Sequence, residues 1–147
     1  MQVYRQNGVC EFLEKVSKLK TVKEKIAALK ANDTKVLRTI MQGAFDPTVI
    51  WLLPEGKPPF LPNQLVDQEG VLIREIQNNK MHYFVKGFYD NLNQTKREQM
   101  FIELLERVDK HDAELLCAIK DKKLPFSGIS LQNVLDSFPG MIQGLLI

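Results

Sequence analysis

The chain has 147 residues, of which 44% are hydrophobic and 26% charged, and its formal net charge at pH 7 is +2. This length suits a single domain over residues 1–147, and this composition excludes a disordered chain, a collagen-like repeat and a disulfide-stapled mini-protein. Because no apolar run reaches the roughly 18 residues of a membrane span and the N-terminus is too polar for a signal peptide, we expect an intracellular protein.

Three helices are predicted before residue 46. Their apolar residues recur every three or four positions, as on one face of a helix: Val9, Phe12, Leu13, Val16, Leu19, Val22, Ile26, Leu29, Val36, Leu37, Ile40 and Met41. The second helix is expected to extend to Asn32. Asp33 or Thr34 caps the third, and Gly43 is expected to end it.

The middle of the chain is rich in proline, which interrupts regular structure. Five of the seven prolines lie between residues 45 and 63. We expect a short apolar segment over residues 49–53, then a proline-rich loop over residues 54–63. Residues 65–77 show a weak helical pattern, while residues 81–85 suit either a short strand or a helical turn.

Three more helices are predicted in the C-terminal third. The sequence from Thr95 to Glu98 matches a capping box, Asp112 is the expected cap of the next helix, and Ser130 caps the last. Pro139 and Gly140 then stop the chain's helical pattern. Together these elements predict an all-α fold, a compact bundle of about six or seven helices.

Residues that form catalytic or metal sites are scarce in this sequence. The two histidines, His82 and His111, are far apart, and no nucleophile elbow, phosphate-binding glycine loop or zinc-ligand spacing is present. Cys10 and Cys117 lie beside apolar residues in helical patterns, so we expect buried reduced thiols. The sequence predicts no catalytic residue, no metal and no cofactor.

Basic residues are concentrated between positions 18 and 38, where seven cations face two acidic residues, a surplus of five. Lys23 and Lys30 are seven residues apart and so share one face of the second helix, while Lys25 lies on the other flank. These lysines are candidate phosphate contacts. A solvated helix whose lysines cover its apolar edge explains them equally well.

A second candidate anion site lies near the C-terminus. Lys120, Lys122 and Lys123 precede the turn Gly128-Ile129-Ser130, which leads into a helix. Such a turn offers free backbone N–H groups and the positive end of the helix dipole to a phosphate.

The central aromatic residues have two possible roles, stacking on unpaired bases or packing in the core. Because a bundle of this size needs large apolar side chains, core packing is the favoured interpretation. These residues are Phe60, Tyr83, Phe84, Phe88 and Tyr89.

Two stretches resemble the N-terminal DNA-binding domain of ATP-dependent DNA ligases of T-even-type phages. Residues 23–32 fit the pattern K-x-K-x-A-x-L-x-x-N, and Gly128-Ile129-Ser130 with Phe138-Pro139-Gly140 fits G-x-S-x7-[W/F]-P-G. The resemblance covers residues 9–53 and 112–142. The whole chain also resembles small uncharacterised proteins of T-even-like phages that infect marine cyanobacteria.

The resemblance implies a helical domain that lies along duplex DNA through sugar–phosphate contacts, with the Gly-x-Ser turn among its phosphate-binding elements. Ligases carry AMP on the lysine of K-x-D-G, and the nearest match here, Lys110-His111-Asp112-Ala113, lacks the glycine. The resemblance therefore implies the DNA-binding module without its enzyme.

We thus expect a non-enzymatic phage accessory protein that binds duplex DNA without sequence specificity, in the cytoplasm of the infected bacterial host. A replication or transcription protein is a further expected partner, and no membrane is involved. The alternative is an adaptor that has lost the DNA surface and docks on a clamp, polymerase or host factor, using the apolar tail of residues 141–147. The sequence does not indicate the oligomeric state.

Overall fold

The computed structural model describes residues 8–141, which form an all-helical, compact bundle, as predicted. Within this range a single antiparallel bridge, Trp51 to Val85, is the one β pairing, and a short 3₁₀ helix spans Lys80–Tyr83. The seven α-helices of the described range are α1 (Val9–Ser17), α2 (Val22–Ala31), α3 (Lys35–Phe45), α4 (Glu69–Gln77), α5 (Gln94–Arg107), α6 (Lys110–Lys120) and α7 (Leu131–Ser137).

The first three helices follow the predicted apolar pattern with two differences. Val22 is 56% exposed, so the inner face of α2 is narrower than predicted. Gly43 does not end α3, which continues to Phe45. The indole N–H of Trp51 donates to the Gly43 carbonyl at 2.9 Å, and a Cβ at position 43 would lie 2.8 Å from the Trp51 ring. Gly43 is therefore a packing position inside the helix.

The segment between α3 and α5 contains little regular structure, as its prolines predict. Helix α4 begins at Glu69, four residues later than the pattern predicted. Of the two structures that the sequence left open for residues 81–85, the helical turn is present, and Val85 forms an isolated bridge rather than a strand. The 3₁₀ helix ends at Tyr83, and Val85 then pairs with Trp51.

Two predicted helix caps are wrong by two or three residues. Helix α5 is capped by Asn93, whose side chain accepts from the Lys96 N–H, rather than by a box starting at Thr95. Helix α6 is capped by Asp109, because Asp112 lies inside the helix and is buried. The predicted cap of α7 is confirmed, with Ser130 and Asn133 forming a reciprocal capping box.

Helix α6 lies at the centre of the bundle and packs against α1, α3 and α5. Seven of its eleven residues are buried: Asp112, Ala113, Leu115, Leu116, Cys117, Ile119 and Lys120. Helix α2 lies at the periphery, where it packs mainly on α7 and buries Leu29 alone. This arrangement leaves most of α2 in contact with solvent.

Both cysteines are free thiols; Cys117 is buried, as predicted, whereas Cys10 is only half-buried. Burial raises the pKa of Cys10 to about 12 and that of Cys117 to about 11, and neighbouring carboxylates add to both shifts. No helix within residues 8–141 is long and apolar enough to cross a membrane. The predicted docking tail, apart from Met141, lies outside the described residues.

Candidate nucleic-acid interface

The exposed side of α2 carries a line of basic residues. Lys20, Lys23 and Lys30 are all exposed, and exposed Ala27 lies between the last two. Positions 23, 27 and 30 follow the helical period and share one face of α2. Lys20 lies in the bend two residues before the helix begins, where the backbone is not helical. The seven residues from Lys23 to Lys30 correspond to about 10 Å along the helix axis. We call these three lysines the α2 lysine stripe.

The stripe differs from the other basic residues of this region because nothing in the described residues pairs with it. Lys18 forms an ion pair with Glu14, and Arg38 forms one with Asp33. Lys35 donates to the Gln77 carbonyl and the Asn79 side chain. Over residues 8–141, no hydrogen bond or ion pair holds an ammonium of the α2 lysine stripe. Its charges are therefore available to an anionic partner.

The structure brings the Gly128 turn against this part of the molecule. The Lys25 ammonium donates to the Gly128 carbonyl at 2.6 Å, and this contact anchors α2 on the turn before α7. On its other side Gly128 touches the end of α1, where an added Cβ would lie 2.2 Å from the Ser17 carbonyl oxygen. This close approach requires glycine at position 128. The Lys25 ammonium is used to hold α2 on this turn rather than left exposed for a phosphate.

The turn does not offer the free N–H groups that the sequence predicts at positions 129 and 130. The Ile129 N–H donates to the Phe126 carbonyl at 3.0 Å, and the Ser130 N–H donates to the Asn133 side chain at 3.0 Å. Ile129 is also buried, at 4% exposure. Capping and packing therefore account for the glycine and serine of the Gly-x-Ser motif.

The three lysines at the end of α6 and just after it do not form one exposed group with the α2 lysine stripe. The Lys120 side chain is 2% exposed and its ammonium donates to the Pro54 carbonyl and the Asp121 side chain, so the expectation that it reaches a phosphate is wrong. Lys122 has a left-handed backbone, with φ of 62°, and donates to the Asp46 carbonyl at 2.7 Å. Lys123 is exposed.

Lys122 and Lys120 both hold the segment that follows α3 against the end of α6. Partial burial lowers the pKa of Lys122, while the charge of Asp46 acts in the opposite direction. Of the predicted contacts, Lys23, Lys30 and Lys123 therefore have exposed side chains without a described partner. Sequence reasoning did not single out Lys20, because it lies in the bend before α2 and helical spacing does not apply to it.

The described residues contain no group of three or more His, Cys, Asp or Glu side chains that is arranged to hold a metal ion. Comparison with curated proteins and with solved structures gives no match. A family model, described as a family of unknown function, matches residues 12–125. Since this range is most of the chain, the protein belongs to the DUF6433 family.

Proposed function

We propose that the protein is a non-enzymatic phage accessory protein that binds duplex DNA without sequence specificity, through phosphate contacts. The observation that carries the proposal is the α2 lysine stripe, three exposed lysines without a described partner, of which Lys23 and Lys30 share one face of a peripheral helix and Lys20 lies just before it. Such a protein would act in replication, repair or transcription, in the cytoplasm of the infected bacterial host.

The geometry of the stripe suits the sugar–phosphate backbone. Lys23 and Lys30 are about 10 Å apart along the helix, and each carries its ammonium on a flexible four-carbon stem. The exposed residue between them, Ala27, has a short side chain that lets the helix approach the DNA surface. Both lysines can therefore contact separate phosphates along one docked helix.

Phosphate contacts position a protein on DNA but carry no sequence information directly. Lysine is a flexible point charge rather than a planar fork that matches a guanine edge. A stripe made of lysines therefore favours binding to any duplex sequence. The small net charge of +2 predicts modest affinity at physiological salt.

The resemblance to the ligase DNA-binding domain supports the same proposal through the residues of α2, because Lys23 and Lys30 both belong to the first matching stretch. It gives less support to a DNA contact by the turn at residues 128–130, because Gly128 and Ser130 have structural roles here. In this proposal α2 is the main contact, with Lys123 as an additional charge.

Fluorescence anisotropy with a labelled duplex tests the proposal, using Lys23→Ala/Lys30→Ala against the matched control Lys96→Ala/Lys110→Ala. All four lysines are exposed, so both double variants lose the same charge. We expect the α2 variant to bind on the order of tenfold to fiftyfold more weakly at about 0.1 M salt, with the control close to wild type. If both double variants lost the same amount of duplex affinity, the loss would depend on net charge alone, and this would contradict the proposal.

A second candidate function, a protein-interaction adaptor, is favoured by the loop before α4. Leu61, Leu65 and Val66 are 79%, 72% and 80% exposed, which is unusual for three apolar residues within one short segment. A clamp, polymerase or host factor whose binding is lost in Leu65→Ser and retained in Lys23→Ala/Lys30→Ala would support the adaptor function.

A further inference from the structure

Two pairs of stacked rings join the 3₁₀ helix to the loop that leads to α5. His82 and Phe88 stack with ring centres 3.8 Å apart and planes 8° from parallel. Tyr83 and Tyr89 stack at 4.4 Å and 20°. In each pair the two residues are six positions apart, so the loop folds back and places its rings on those of the 3₁₀ helix. We call these four residues the aromatic platform.

The platform differs from the core aromatics because much of it faces solvent. Phe88 is 56% exposed and Tyr89 is 48% exposed. Phe84, by contrast, is 2% exposed and packs edge-on against Phe101. The sequence favoured core packing for all the central aromatic residues, but that interpretation is wrong for Phe88 and Tyr89.

The backbone beneath the platform is held by a buried arginine. Arg97 is 3% exposed, and its guanidinium donates to the Tyr83 carbonyl at 2.9 Å and to the Tyr89 carbonyl at 2.7 Å. The Arg97 side chain thus holds the backbone of both residues of the Tyr83–Tyr89 pair. The turn between them is completed by the Gly87 N–H, which donates to the Asp90 side chain. The rings are therefore preorganised before any partner binds.

Two lysines lie near the platform, and Glu75 and Glu103 line the same surface cavity as Lys80 and Tyr83. The Lys80 ammonium lies 5.9 Å from the centre of the Tyr83 ring, and exposed Lys86 precedes the turn. Desolvation and the positive charge of Lys35 lower the pKa of His82, so the imidazole that stacks on Phe88 is neutral at pH 7. The acidic residue in the loop, Asp90, accepts a hydrogen bond from its own turn.

We infer that the aromatic platform binds single-stranded nucleic acid, with unpaired bases stacking on Phe88 and Tyr89 and phosphates lying near Lys80 and Lys86. Exposed rings beside cations match the two parts of a nucleotide, a flat apolar base and an anionic phosphate. Stacking is tolerant of sequence because every base has a π face. This site shares no residue with the α2 lysine stripe, and the inference does not depend on duplex binding.

The test compares two probes of equal charge, a 20-residue oligothymidylate and an abasic oligonucleotide of the same length, by anisotropy. We expect the thymidylate to bind on the order of tenfold more tightly, because the abasic strand has phosphates but no bases. Phe88→Ala and Tyr89→Ala should each lose most of this difference. Phe88→Trp should retain it and show quenched fluorescence on binding, while Leu61→Ala serves as the matched control for an exposed apolar residue.

The outcomes separate this site from the α2 surface. Weaker thymidylate binding by Phe88→Ala, together with unchanged duplex affinity, supports the platform whether or not Lys23→Ala/Lys30→Ala affects the duplex. A titration with oligouridylate distinguishes DNA from RNA, and Phe88→Ala should weaken the binding of whichever strand the platform prefers. Equal affinity for the thymidylate and the abasic strand would overturn it, without requiring any variant to fold. Wild-type thymidylate binding by Phe88→Ala would overturn it as well.

Discussion

Helices α2 and α6 have nearly the same length, ten and eleven residues, but opposite positions in the bundle. Helix α6 buries seven residues against neighbours on several sides, whereas α2 buries one. Packing therefore determines most of the sequence of α6. Since packing constrains little of α2, the fold does not require the lysines on its exposed side, and this difference supports a binding role for them.

The comparison predicts its largest effect in the core of α6. Leu116 has no exposed surface, so Leu116→Ala should lower the free energy of unfolding by about 2–5 kcal/mol. Val22→Ala in α2 should change it by less than about 0.5 kcal/mol, because Val22 is already 56% exposed. Urea denaturation measures both variants. Similar losses from the two would contradict the contrast between the helices.

A second prediction concerns Asp112, the buried carboxyl group of α6. One carboxylate oxygen accepts from the Cys10 N–H at 2.9 Å, and the other has no hydrogen-bond partner among residues 8–141. Desolvation raises the pKa of Asp112 to about 7, and the charges of Asp109 and Glu11 add to the shift, while the Cys10 hydrogen bond opposes it. The folded protein therefore retains this proton at pH values where the unfolded chain releases it.

The folding free energy of the wild type should accordingly become less favourable as the pH rises from about 4 to 7, by up to roughly 4 kcal/mol for this group. Asp112→Asn cannot ionise, so its stability relative to the wild type should increase over the same interval and level off above pH 7. Urea denaturation from pH 4 to pH 8 measures the difference. Parallel pH profiles for the two proteins would show that Asp112 ionises as readily in the folded state as in the unfolded one.

Smaller losses of folding stability are expected from substitutions at the helix caps. Asp109 caps α6 and Thr21 caps α2, each through its side chain. Asp109→Ala should cost about 1–2 kcal/mol, because fraying of α6 also loosens the core. Thr21→Ala should cost about 0.5 kcal/mol, since the first turn of α2 buries little. Thermal melts monitored by circular dichroism compare the two, and a larger loss from Thr21→Ala would reverse the predicted order.

The helices were predictable because their apolar residues repeat at the helical period, as in Leu13 and Val16 of α1. The caps were less predictable because several polar residues near each helix start compete for the role. Asp109 precedes Asp112 by one turn, and only the tertiary structure shows that Asp112 turns inward to meet the Cys10 N–H. The bridge from Trp51 to Val85 depends on a contact between distant segments, which local patterns do not contain.

The candidate site was predictable in part for the same physical reason. Lys23 and Lys30 share a face by helical geometry alone, and they are exposed as that geometry predicts. Lys120 is different, because its ammonium is used by the Pro54 carbonyl, 66 residues away in sequence. Sequence spacing shows which lysines share a face of a helix, but not which of them a distant loop will use.

The central claim is that the α2 lysine stripe contacts DNA phosphates, and the salt dependence of duplex affinity tests it most directly. With Lys20, Lys23, Lys30 and Lys123 as three or four contacts, the log–log slope against salt concentration should be about −2.7 to −3.6. Lys23→Ala/Lys30→Ala should flatten that slope by about 1.8, while Lys96→Ala/Lys110→Ala should leave it unchanged. An α2 double variant with the wild-type slope and the wild-type affinity would contradict the account.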